Sequence, residues 1–116
     1  MYDPMEKSIS QLQTALSEGK VTSEELCQFY LQRIDAYDRQ GPGLNAIVEV
    51  HPKWREQAKT LDEERACGKI RGPLHGIPLV IKDNFNTWDQ PTTAGSEALR
   101  GSQPGEDAFV IQKLRQ

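Results

Sequence analysis

The stretch Gly72-Pro73-Leu74-His75-Gly76-Ile77-Pro78-Leu79-Val80-Ile81-Lys82-Asp83-Asn84 constrains this chain more than any other. Glycine and proline breakers lead into a short apolar run, Ile77 to Ile81, that stops at Lys82. An apolar run of that length between turn formers reads as a buried strand rather than a helix. Side chains alternate along a strand, so Leu79 and Ile81 share one face while Val80 and Lys82 share the other. Lys82 then stands at the end of a buried strand, where loss of hydration disfavours the ammonium and favours a neutral base. The commoner fate of a strand-ending lysine is to turn to solvent, because lysines are seldom fully buried. Asp83 points the other way and is expected to bond backbone or loop groups.

The remaining chain alternates helical patterns with breakers. Ile9, Leu12, Gln13 and Leu16 follow helical spacing, and Gly19 supplies a stop. Thr22 and Glu25 form a capping-box pattern that starts a second helix. Its stripe of Leu26, Phe29, Tyr30, Arg33, Ile34 and Tyr37 runs to Gln40-Gly41-Pro42-Gly43, and a stripe at this spacing means packing. Leu44 to Val50 reads as a short strand, with β-branched residues towards its end. Pro52 suits the first turn of a third helix, which turns Trp54, Ala58 and Leu61 inward and is closed by Gly68. His51 is read as structural or exposed, and His75 as packing in the turn before Lys82. Phe85 to Pro91 is loop, with Trp88 as an anchor or a tunnel-lining residue. Thr92, Thr93, Gly95 and Ser96 belong to a small-residue loop, where they either cap the turn or line a pocket. Pro104-Gly105-Glu106-Asp107 opens a last helix, Ala108 to Arg115.

Taken together, the Gly72–Asn84 stretch, Thr92-Thr93-Ala94-Gly95-Ser96, Thr22-Ser23-Glu24-Glu25-Leu26, Tyr30-Leu31-Gln32-Arg33-Ile34 and Leu44-Asn45-Ala46 resemble the amidase signature family. The order and spacing carry the resemblance; no single piece does. It implies an α/β fold, a mixed β-sheet core flanked by helices, here mostly helices with two or three short strands. It also implies amide hydrolysis by a Ser–cis-Ser–Lys triad in which Lys82 is the base, with Thr92, Thr93, Gly95 and Ser96 near the substrate. Both serines of that triad lie, in the family, beyond the point matching Gln116. Gly101-Ser102-Gln103-Pro104-Gly105 lacks the Gly-Gly-Ser-Ser-Gly-Gly character of the nucleophile segment. Residues 1–116 therefore read as the N-terminal portion of an amidase domain, cut before the catalytic serines and expected to be inactive alone. The alternatives are a non-catalytic, partner-binding remnant and part of a tRNA-dependent amidotransferase subunit.

Composition narrows the partners. The 116 residues carry a net charge of −3 with mixed signs, so no basic stripe argues for nucleic acid. No apolar run is long enough to span a bilayer, and the first residues have no apolar signal-peptide core. Cys27 and Cys67 lie far apart and read as reduced, packed thiols of a cytoplasmic protein. The two histidines and two cysteines show no metal-ligand spacing. No cofactor or metal is expected, and a small-molecule amide is the expected substrate. Mean hydropathy of −0.67 is polar for a self-sufficient core. Separately, absence of the sheet that the resemblance implies would leave apolar faces exposed, so self-association through them is anticipated.

Overall fold

Two capping boxes set the first half of the molecule. Ser8 accepts the Gln11 N–H while the Gln11 side chain takes the Ser8 N–H, which starts α1 (Ile9–Ser17). Thr22 and Glu25 repeat the arrangement at the start of α2 (Ser23–Arg33). Each box satisfies helix-start donors that would otherwise be orphaned. Gly19, at φ +66°, ends the first helix as its sequence position predicts. The second helix loosens at its end into a π-helical turn, Ile34–Arg39. α3 (Trp54–Ala66) follows, with Gly68 at φ +75° just past it.

The computed structural model describes residues 1–116, and they divide into two units, Met1–Pro78 and Leu79–Gln116. In the first unit, Leu12, Ala15, Leu16, Val21 and Leu26 form the core, with Tyr2 and Ile77 packed against it. α2 lies on α3. Asp62, from α3, accepts the Ser23 and Glu24 N–H groups at 2.7 and 3.1 Å and so caps α2 from outside. The second unit is mostly loop, with a 3₁₀ turn at Glu97–Leu99 and α4 (Phe109–Arg115). Arg115 fastens that loop by binding Asp89 at 2.7 Å and Asp107 at 2.8 Å.

The two expected strands are not formed; no residue of the chain lies in a β-strand. Between residues 44 and 50 the reason is local. The buried Asp38 carboxylate takes the Ala46 N–H at 2.6 Å and also binds that of Ile47. Leu44 and Asn45 donate back to Tyr37 and Asp38 carbonyls, and Asn45 turns left-handed at φ +52°. Donors that a ladder would need are thus spent on the end of the preceding helix. For residues 77–81 the reason is the lack of a partner, since a lone strand has nothing to pair with. Leu79, Val80 and Ile81 are 46, 79 and 39% exposed, which corrects the expected burial of this run. No helix is long and apolar enough to cross a membrane.

Candidate functional site

The breaker-rich turn that precedes the apolar run is tied down from three directions. Gln13 of α1 donates to the Pro73 and His75 carbonyls, both at 2.9 Å. Arg65 of α3 donates to the Gln13 side chain at 2.8 Å and to the His75 carbonyl at 3.0 Å. The His75 ring is buried; its Nδ1 accepts the Arg71 N–H at 3.2 Å and its Nε2 lies 2.8 Å from the Leu61 carbonyl. With Nδ1 accepting, the ring proton sits on Nε2 and is donated to that carbonyl. Both nitrogens are used, so His75 packs the turn and has no free atom for acid–base work. Beside it Gly76, at φ +79°, lies so close to Ser23 that a Cβ there would overlap the Ser23 Oγ. This position therefore needs glycine for two reasons, backbone conformation and room.

Lys82 is exposed, against the expectation that it ends a buried strand, because the run that carries it is uncovered. Its backbone is nevertheless fixed. The Phe85 N–H donates to the Lys82 carbonyl at 3.0 Å, closing a turn over Asp83 and Asn84. Asp83 then binds the small-residue loop through three contacts. Its carboxylate accepts the Thr93 N–H at 3.0 Å and the Thr93 hydroxyl, and its carbonyl accepts the Ala94 N–H at 2.7 Å. These donors, the Thr93 hydroxyl first, hold the Asp83 carboxyl below its ordinary value. Thr92 joins in with a hydroxyl bond to the Phe85 carbonyl at 3.4 Å and an N–H bond to the Ser102 carbonyl at 2.8 Å.

Of the residues singled out in sequence, Asp83, Thr92 and Thr93 are thus brought together next to Lys82, with Gly95 and Ser96 continuing the same loop. His51 and His75 are not part of this cluster. His51 accepts the Lys53 N–H at 3.0 Å before α3, and His75 belongs to the turn described above. Trp88 is 57% exposed; it ties into the loop through its backbone bonds to Asp107 and Gln103 and through the Arg115 guanidinium, which lies 5.9 Å over its ring. Cys27 is half-buried and free, and burial pushes its thiol up to about 11. Cys67 is free and exposed, which corrects its reading as packed. No three His, Cys, Asp or Glu side chains converge as metal ligands.

Sequence reading passed over the Gln13–Arg65 clamp, the Asp62 cap and the Asp38 capture of residues 46–47. Each joins residues distant in sequence or depends on a fold, and none has a local signal. The Ser8–Gln11 capping box did have one, the S-x-x-Q pattern.

A family model described as Amidase matches residues 25–116. The chain belongs to the amidase signature family. Solved structures agree: this amidase chain superposes on the peptide amidase of Stenotrophomonas maltophilia with a TM-score of 0.92 at 46% identity, covering 97% of this chain and 23% of that one. An amidase family protein from Bacillus anthracis gives a TM-score of 0.89 at 36% identity, with coverages of 96% and 22%. Among curated relatives, a glutamyl-tRNA(Gln) amidotransferase subunit of Thermobifida fusca is 40% identical over 116 residues, 99% of this chain and 23% of that protein. A Schizosaccharomyces pombe protein assigned to the amidases is 46% identical over 110 residues, 94% of this chain and 18% of its own length. The amidase chain thus spans about a fifth of the length of the relatives it matches. Its helices and loops are those of the amidase fold over the matched part, without strands.

Proposed function

We propose that this chain contributes the base of an amide-hydrolysing site, with Lys82 in that role. The supporting observation is the match to amidases over residues 25–116, which contains Lys82 at the end of the signature run. Its backbone is held by the Lys82–Phe85 turn and its neighbour Asp83 is pinned to the Thr92–Ser96 loop. In this reading neutral Lys82 takes a proton from a cis-serine, which takes one from the nucleophilic serine. The alkoxide attacks the amide carbonyl, the protons return to the leaving amine, and water releases the acyl group. The two serines come from residues other than these 116, and the same residues cover Lys82 and supply the desolvation that a lysine base requires. Leu79 to Ile81, exposed and without backbone partners, pair as a strand of a mixed sheet when that neighbouring structure is present; left uncovered, the same edge drives self-association. The substrate is a small amide, and nothing in the scheme requires a metal.

The likeness to a glutamyl-tRNA(Gln) amidotransferase component favours one second reading, a polypeptide that works only with partners. The Pro-Leu-His-Gly turn and the greater likeness to the peptide amidase favour a general amidase.

The test uses the natural protein, purified with any residues or partner chains that accompany this one. Its intact mass is measured, and aryl-amide hydrolysis is compared with that of Lys82→Ala. The expected result is a mass well above 13.1 kDa, or a bound partner, and a loss of activity of about a thousandfold or more in the variant. Most of the activity surviving in Lys82→Ala would sink the assignment.

A further inference from the structure

The small-residue loop was expected either to cap its turn or to line a pocket, and its members are not equally free for the second role. Every polar atom of Thr93 is already engaged. Its N–H and hydroxyl donate to the Asp83 carboxylate. Its hydroxyl oxygen accepts the Gly95 N–H at 3.2 Å, and its carbonyl accepts the Ser96 N–H at 2.8 Å. Thr92 spends its N–H and hydroxyl on the Ser102 and Phe85 carbonyls. Ala94 is held left-handed at φ +50°, a costly conformation for a residue with a Cβ. The bond from its N–H to the Asp83 carbonyl, beside the carboxylate contacts to Thr93, is what keeps it there.

Gly95 and Ser96 differ from these. Both are exposed, and no atom comes within 4 Å of where a Cβ on Gly95 would lie. The Ser96 side chain does not cap the 3₁₀ turn that follows it. Its hydroxyl is left for an outside partner.

We propose that Asp83 and Thr93 are positioning residues of the amidase site, fixing the loop to the residue that follows Lys82 so that Gly95 and Ser96 meet the substrate. This rests on the reading of Lys82 as the base. The substrate group that suits the exposed edge is polar, such as the carbonyl or N–H of an amide, because the Ser96 hydroxyl is free to pair with it, whereas the Gly95 and Ser96 N–H groups are already bonded to Thr93. The charged acceptor matters, since hydrogen bonds to an ionised group are stronger than neutral ones. Asparagine in place of Asp83 would offer the Thr93 hydroxyl an N–H instead of an oxygen.

In the natural protein, Asp83→Asn and Thr93→Val should each lower kcat about tenfold or more with KM little changed, since misplacing a catalytic group costs turnover. Thr93→Ser, which keeps the hydroxyl, should restore it. Ser96→Ala should instead raise KM while kcat holds. In the 116-residue chain, hydrogen exchange at the Thr93 and Ala94 amides should quicken roughly tenfold in Asp83→Asn. Wild-type kcat in Asp83→Asn beside an inactive Lys82→Ala would overturn the positioning role and leave the lysine reading standing. Full activity in Lys82→Ala, or none in the wild-type protein, would overturn the lysine reading and this one with it. Unchanged amide exchange in Asp83→Asn would overturn the positioning role without any assay of activity.

Discussion

Gly76→Ala isolates the closest approach in the first unit. Two costs add. At φ +79° an alanine pays about 1–2 kcal/mol for left-handed backbone. The new Cβ also overlaps the Ser23 Oγ, in a residue only 1% exposed that has no room to retreat. Overpacking of this kind costs about 1–3 kcal/mol, so the total is about 2–5 kcal/mol. At about 4 °C per kcal/mol for a chain of this size, the melting temperature should fall by roughly 8–20 °C. Ser23→Ala separates the two parts. The Ser23 Oγ has no hydrogen-bond partner, so removing it orphans nothing, and the single variant should lie within about 0.5 kcal/mol of wild type. The next atoms, Ser23 Cβ at 3.5 Å and Leu16 Cδ1 at 3.6 Å, are at ordinary contact distance. The double variant should therefore recover the steric share and keep the backbone share, a coupling of about 1–3 kcal/mol. Thermal unfolding followed by circular dichroism reads all four proteins. A neutral Gly76→Ala, or a double variant no better than Gly76→Ala, would refute the reasoning.

Leu26 is completely buried in the core, and Leu26→Ala should cost about 2–5 kcal/mol by urea unfolding; a loss under about 1 kcal/mol would mean the core is loosely packed. Iodoacetamide at pH 8 should label exposed Cys67 well before Cys27, whose thiol is pushed up to about 11 by burial; mass spectrometry showing equal rates would contradict that. Asp83 ionises below its ordinary 3.8, so its hold on Thr93 is complete above that value and lost as pH falls through the lowered folded value. The Thr93 amide shift in NMR should therefore titrate with a midpoint under 3.8, and a midpoint at or above it would rule out the carboxylate–threonine contact.

Local chemistry was legible in the order of residues. Thr22 with Glu25, Gly19 and Gly68 marked helix ends correctly because capping and left-handed termination act within a few residues. His75 was readable as a packing residue, and Asp83 as a partner of the loop. The family, too, was legible in the spacing from Gly72 to Ser96, and the match over residues 25–116 agrees. The strands were not. Apolar runs at 44–50 and 77–81 have strand composition, but a strand is a relation between two segments. In the first, Asp38 takes the donors; in the second, no segment is there to pair.

What the sequence determined by itself is therefore everything set by neighbours in the chain: helix starts and stops, the breaker-rich turn, and the spacing that marks an amidase. Tertiary structure alone decided which polar atoms are already spent. Thr92, Thr93, Gly95 and Ser96 look alike as small residues in one loop, and only the fold, by bringing Asp83 to Thr93, separates those that hold it from those left exposed. The reason is that a hydrogen bond depends on distance and direction, and neither is written in composition or spacing.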